Sequence, residues 1–169
     1  MSSYVELHCH SSFSFLDGAS SPLELAEKAA ELGYPTLALT DHDGVWGSME
    51  FAVACKGAGI RAITGTELTV EEGGRLFHLT LLVENETGYH NLCRLLTASH
   101  AHTRDGRDRR VGQPRVPLGD LAGRAEGLIC LTGGALGPIG QLVRQGRQQD
   151  AGDLAARLAT AFPTRLYVE

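Results

Sequence analysis

The sequence predicts an α/β fold. Three observations carry this: short apolar runs of strand length at 36–40 and 60–63, amphipathic stretches of helical spacing around them, and glycine at the joins. A strand, helix, strand, helix, strand alternation over the first part of the chain points to a parallel sheet or barrel.

Taken in order, residues 4–9 read as a strand and 10–20 as a Ser/Gly-rich loop. Ser21-Pro22-Leu23-Glu24 predicts a helix start, with Ser21 as cap, Pro22 in the first turn and Glu24 closing a capping box. Leu25, Ala26, Ala29, Ala30 and Leu32 follow at helical spacing, and Gly33 is a stop. Residues 36–40 are a buried strand, 47–56 a second helix ending at Gly57, and 60–63 the next strand. Residues 67–70 and 76–83 flank Glu-Glu-Gly-Gly, a hairpin turn. A helix is expected over 87–99, with Tyr89, Leu92, Cys93, Leu95 and Leu96 as its apolar face. Residues 101–117 read as a polar surface loop; its Arg104, Arg107, Arg109 and Arg110 are candidates to face phosphate or DNA, although Asp105 and Asp108 offset part of the charge. A strand at 127–132, helices at 139–145 and 151–161 and a strand at 165–169 complete the reading as one domain.

Composition narrows the function classes. The chain of 169 residues, 43% hydrophobic and 21% charged, can bury a core without disulfide support. No run approaches the ~20 apolar residues of a membrane span, and no basic-then-apolar leader opens the chain, so a cytoplasmic protein with no membrane partner is expected. A net charge of −5 excludes a generally basic nucleic-acid coat, though not a local basic patch. Cys9, Cys55, Cys93 and Cys130 are too dispersed for a disulfide framework or a zinc knuckle.

The histidines and acids are not dispersed. Ligands of strand-then-helix folds bind past the C-terminal strand ends. There the sequence places His8 and His10, on one side of an extended segment, then Asp17, then Asp41-His42-Asp43, then Glu67. His78 lies in the following β segment and His100 closes a helix. One such histidine is commonly structural, and Asp41 alone could cap a helix. The joint pattern instead offers His8, His10, Asp17, His42, Glu67, His78 and His100 as metal ligands, with Asp41 and Asp43 behind them. Imidazole with carboxylate suits zinc, manganese or iron, zinc being favoured by the imidazole count. Divalent ions so held neutralise a phosphate and acidify water, which points to phosphoester hydrolysis. There is no serine-hydrolase elbow and no Gly-x-x-x-x-Gly-Lys loop.

The motifs Glu6-Leu7-His8-Cys9-His10-Ser11, Leu16-Asp17-Gly18, Leu39-Thr40-Asp41-His42-Asp43 and Gly65-Thr66-Glu67 resemble those of the PHP (polymerase and histidinol phosphatase) family. Phe13-Ser14-Phe15-Leu16-Asp17-Gly18-Ala19-Ser20 and Glu126-Gly127-Leu128-Ile129-Cys130-Leu131-Thr132-Gly133-Gly134 are similar to the bacterial C-family DNA polymerases, the polymerase III alpha subunits, leaning to the error-prone branch. The resemblance implies a distorted (β/α)7 barrel with up to three divalent metals. His8, His10 and Glu67 would hold the first, Glu67, His78 and His100 the second, and Asp17 with His42 the third. Glu67, His10 and Asp17 would be catalytic through those metals. The family's Asp-x-His near the domain end has no counterpart here, so the barrel is expected to be incomplete and cut before it closes, with no polymerase domain. The implied function is the N-terminal PHP region of a DNA polymerase for replication or error-prone repair synthesis, with 3′–5′ exonuclease chemistry. Its partners would be the rest of the polymerase chain, primed DNA and replication or repair subunits. A free-standing phosphatase on a small phosphate monoester and an inactive metal-stabilised scaffold are the alternatives.

Overall fold

A computed structural model describes residues 4–101, 103 and 112–169. These fall into two compact units, Met1–Glu67 and Leu68–Glu169. Among the described residues no helix is long and apolar enough to cross a membrane.

In the first unit, helix α1 (Pro22–Glu31) begins as the capping box requires: Ser21 Oγ accepts from Glu24 N, and the Glu24 carboxylate accepts from Ser21 N at 2.7 Å. Strand β1 (Thr36–Leu39), helix α2 (Ser48–Ala58) and strand β2 (Arg61–Glu72) follow. β1 and β2 are parallel, Thr36 opposite Arg61 through Leu39 opposite Thr64, as the alternation predicts. Small residues let the layers approach closely. Ala26 and Ala29 of α1, Leu37 and Leu39 of β1, and Phe51 and Cys55 of α2 form one buried cluster.

The elements differ from expectation in three places here. Residues 4–9 form no regular strand, although they run beside β1: Ala38 N donates to Glu6 O at 3.0 Å and Thr40 N to Cys9 O at 2.8 Å. Helix α2 passes through Gly57 and stops at Gly59, whose φ of +74° supplies the left-handed cap. The expected strands at 60–63 and 67–70 are one continuous β2, because Thr64 and Thr66 sustain extended backbone across Gly65.

In the second unit, the end of β2 turns through Gly73 and Gly74, at φ +58° and +73°, into strand β3 (Arg75–Val83). Two positive φ values in sequence define the hairpin turn read from Glu-Glu-Gly-Gly. Helix α3 (Glu86–His100) is capped by Asn85, whose side chain accepts from Gly88 N at 3.1 Å. A short strand β4 (Val116–Pro117) pairs parallel with β2 at Val70 and Glu71, and a 3-10 helix (Leu118–Arg124) follows; neither is evident from periodicity. Strand β5 (Leu128–Leu131) pairs antiparallel with β3, a departure from all-parallel order that follows from the hairpin's reversal of direction. Helices α4 (Pro138–Arg144) and α5 (Gln148–Ala161) match their expected spans closely. The last strand, β6, is only Leu166–Tyr167, parallel to β5.

Candidate metal centre

The centre is assembled at the C-terminal end of β1. Just beyond it, His42 and Glu67 form an isolated parallel bridge. Glu67 N donates to the carbonyls of Thr40 and Asp41, and Asp43 N donates to Glu67 O at 2.9 Å. These bonds fix the Glu67 backbone beside residues 40–43. Its carboxylate is buried, at 5% exposure.

Three imidazoles converge on that carboxylate. His8 Nε2 lies 2.5 Å and His10 Nε2 3.2 Å from Oε2, while His42 Nδ1 lies 3.4 Å from Oε1. Asp17 sits on the outer side, its Oδ2 at 2.6 Å from His10 Nδ1 and 2.9 Å from His42 Nε2. The His10 and His42 rings are 4.4 Å apart between centroids. Ligand atoms of His8, His10 and Glu67 lie within 4.8 Å of one another, as do those of His10, Asp17 and His42.

The electrostatics follow from this crowding. Burial pushes the His10 pKa down, but the Glu67 and Asp17 carboxylates outweigh it, so the value is raised above its ordinary 6.5. Asp17 is lowered from its ordinary 3.8 by hydrogen bonds with His42 and then His10. His10 Nε2 is buried yet makes no aligned hydrogen bond, despite its nearness to Glu67. A buried nitrogen lone pair aimed beside a carboxylate oxygen is the geometry a divalent cation satisfies, so the donor set fits a metal.

Behind the ligands stands a second buried carboxylate. Asp41, 1% exposed, accepts from Ser11 N at 2.8 Å, from Ser11 Oγ at 2.8 Å and from Ser14 Oγ at 2.8 Å. Ser14 Oγ also accepts from His42 N at 3.1 Å. Thr66 Oγ1 donates to Asp41 O at 2.8 Å and accepts from Gly44 N at 3.1 Å. Asp41 therefore ties the loop carrying Asp17 to the loop carrying His42. The buried Asp43 has a φ of +46°, which turns the chain directly after His42. Gly18 is required for closeness: a Cβ there would collide with the Ser11 carbonyl.

Of the residues singled out from sequence, His8, His10, Asp17, His42 and Glu67 are thus brought together, with Asp41 and Asp43 behind them. His78 lies half-buried on β3 and His100 is the last residue of α3, both in the second unit. Arg104, Arg107, Arg109 and Arg110 lie outside the described residues. Sequence reasoning missed Ser11, Ser14 and Thr66. The available signal was that a buried Asp41 must find donors, and the nearest hydroxyl-rich segment is the one following His10.

The chain matches the PHP domain family model over residues 6–169. It belongs to the PHP family, a mixed α/β fold. An error-prone DNA polymerase of Symbiobacterium thermophilum is 44% identical over 99% of this chain and 16% of its own length. The DNA polymerase III subunit alpha of Treponema pallidum is 40% identical over 95% of this chain and 14% of its own. The Escherichia coli K12 subunit alpha is 35% identical over 98% of this chain. The chain thus spans about one-seventh of the length of these polymerases.

Proposed function

We propose that this chain is the PHP region of a bacterial C-family DNA polymerase, of the polymerase III alpha or error-prone type, and that its centre hydrolyses phosphodiester bonds at a DNA 3′ end. The observation that carries the reading is the convergence of His8 and His10 on the buried Glu67 carboxylate, with the unaligned His10 nitrogen. The similarity to polymerases favours a nucleic-acid substrate over a small phosphate monoester.

In this reading His8, His10 and Glu67 hold one divalent ion, and Asp17 with His42 holds another. His78 and His100, on the second unit, stand as further ligands. Zinc suits the imidazoles, and manganese or iron fits the same donors. When bound, such ions neutralise phosphate charge and lower the pKa of coordinated water. Glu67, His10 and Asp17 then act by keeping those donors in place. Asp41 positions both ligand loops through Ser11 and Ser14. The remainder of a longer polymerase chain, primed DNA and replication or repair subunits are the proposed partners. Arg104, Arg107, Arg109 and Arg110 are proposed to face DNA.

The test measures bound metal by elemental analysis and hydrolysis of 3′-labelled primed DNA with Mn²⁺ or Zn²⁺. His10→Ala and the double variant His8→Ala/Glu67→Gln serve as background. Metal at stoichiometry with hydrolysis lost in both variants supports the reading. Stoichiometric metal with no hydrolysis above those variants leaves a metal-stabilised scaffold instead.

A further inference from the structure

The two loops that supply Asp17 and His42 also display large apolar side chains at the surface. Phe15 is 85% exposed and Leu16 fully so, two residues and one residue before Asp17; Trp46, four residues after His42, is 58% exposed. A mobile tail would explain such exposure, but this loop is built. Ser12 N donates to Ser20 O at 2.8 Å, Ser14 N to Ser11 O at 2.9 Å, and Asp17 N and Gly18 N both donate to Ser14 O. Ser14 itself is buried on Asp41. Leu16 is held at φ +68°, a conformation that branched side chains disfavour, so the tip is fixed outward against local preference.

The second loop is joined to the first. Gly47 packs so closely on Phe13 that an added Cβ would lie 3.1 Å from the ring, and the Trp46 indole lies against Gly44. The two loops are therefore neighbours where Phe13 meets Gly47, and each carries an exposed aromatic close in sequence to its ligand.

Charge says what these loops must do. Residues 8–22 and 40–47 contain no Lys or Arg. A polyanionic strand meeting this centre finds no lysine or arginine in either ligand loop. Whatever these two loops themselves add beyond the metal must come from contacts that ignore charge, and aromatic stacking on nucleobases is the available one.

We propose that Phe15 and Trp46 form a stacking rim for the terminal nucleobase of a single-stranded end whose phosphodiester lies at the metal centre. The inference rests on the nucleic-acid reading above and adds a consequence. A paired end has its bases stacked on each other, so an unpaired end is preferred.

The chain's single tryptophan makes the test direct. With Mn²⁺ present, the 169-residue chain is titrated with a five-nucleotide thymidylate strand and with the same strand ending in an abasic nucleotide. A terminal phosphorothioate linkage keeps both intact. The base-bearing strand is expected to quench Trp46 emission and to bind about tenfold more tightly, the scale of one base–aromatic stack. Phe15→Ala should remove that preference and Phe15→Tyr should restore it. Trp46→Ala, followed by anisotropy of a labelled strand, should weaken only the base-bearing strand. Equal affinities for the two strands, an unchanged preference in Phe15→Ala, or no binding by the native chain would each overturn the rim. Cleavage of an unmodified strand is followed in parallel. Base-dependent quenching without cleavage removes the exonuclease reading and keeps the rim, whereas cleavage without base preference does the reverse.

Discussion

Two charged clusters in this molecule differ in a way that separates function from solvation. In the first unit, His8, His10, His42, Asp17 and Glu67 crowd together around a buried carboxylate. In the second unit, a cleft of about 430 Å³ is lined by Glu72, Arg75, Arg147, Asp150, Asp153 and Arg157 among others. There three cations face three acids. Arg147 pairs with Asp150 and Arg157 with Glu72, each at 2.5 Å, and Arg75 donates to Gln145. Every guanidinium has a partner, and the pairs are open to water. The first cluster gathers three imidazoles on one buried carboxylate, Glu67, while its outer side at Asp17 stays open to water. A cleft is thus a poorer guide to chemistry here than a buried carboxylate ringed by imidazoles.

The largest expected effect breaks the first cluster. His10→Ala should lower metal affinity by more than about 100-fold, beyond the 10–100-fold typical of groups that only support ligands. In the native chain, free metal at a thousand times its Kd should add about 4 kcal/mol to stability, and chelation should remove it. Thermal melts with and without EDTA, in native and His10→Ala chains, check both. A melt indifferent to metal would dissolve the contrast between the clusters.

The next effect sharpens what Asp41 does. Ser11→Ala or Ser14→Ala leaves a buried carboxylate short of a donor, at a cost of about 1–3 kcal/mol. Each should also reduce metal affinity about 10–100-fold without touching a ligand. Denaturant unfolding of the metal-free protein isolates the first loss, and metal titration the second. A stability loss with unchanged metal affinity would make Asp41 purely structural.

These two predictions mark how far the sequence could be read. The capping box at Ser21 and Glu24, the β1–β2 pairing and the spacing of His8, His10, Asp17, His42 and Glu67 were legible, because each depends on local pattern. The donors to Asp41 were not, because Ser11 and Ser14 lie 30 and 27 residues away from it and look like ordinary loop serines. Strand direction was also hidden: periodicity is the same in parallel and antiparallel strands, and β5 pairs antiparallel only because β3 has already reversed. Residues 4–9 carry strand-like composition, yet they bond to β1 at too few points to make a regular ladder.

Acidity should divide the two forms of the centre. The raised His10 pKa contributes stability to the metal-free protein that is present below 6.5 and lost as pH rises through its folded value. The lowered Asp17 pKa contributes stability present above 3.8 and lost as pH falls through its folded value. The metal-free centre is therefore best satisfied between those limits. Metal needs deprotonated imidazole, so its stabilisation should grow as pH rises past the His10 value. The increment in melting temperature on adding metal should be small at pH 5.5 and large at pH 8; a flat increment would exclude His10 as a ligand.

The smallest effect belongs to the second cluster. Arg157→Ala removes a pair whose members are both substantially exposed, Arg157 at 55% and Glu72 at 38%. Coulomb attraction there is weakened by water and offset by the entropy of holding two long side chains. The loss should be about 1 kcal/mol or less and should shrink further as salt is raised, because exposed charges are screened over ~10 Å at 0.1 M. Chelator should not change it, since the pair owes nothing to metal. If Arg157→Ala instead cost as much as Ser11→Ala, and did so equally at high salt, the cleft pairs would be buried in the working protein, and the distinction between the two clusters would have to be drawn from chemistry alone rather than from access to water.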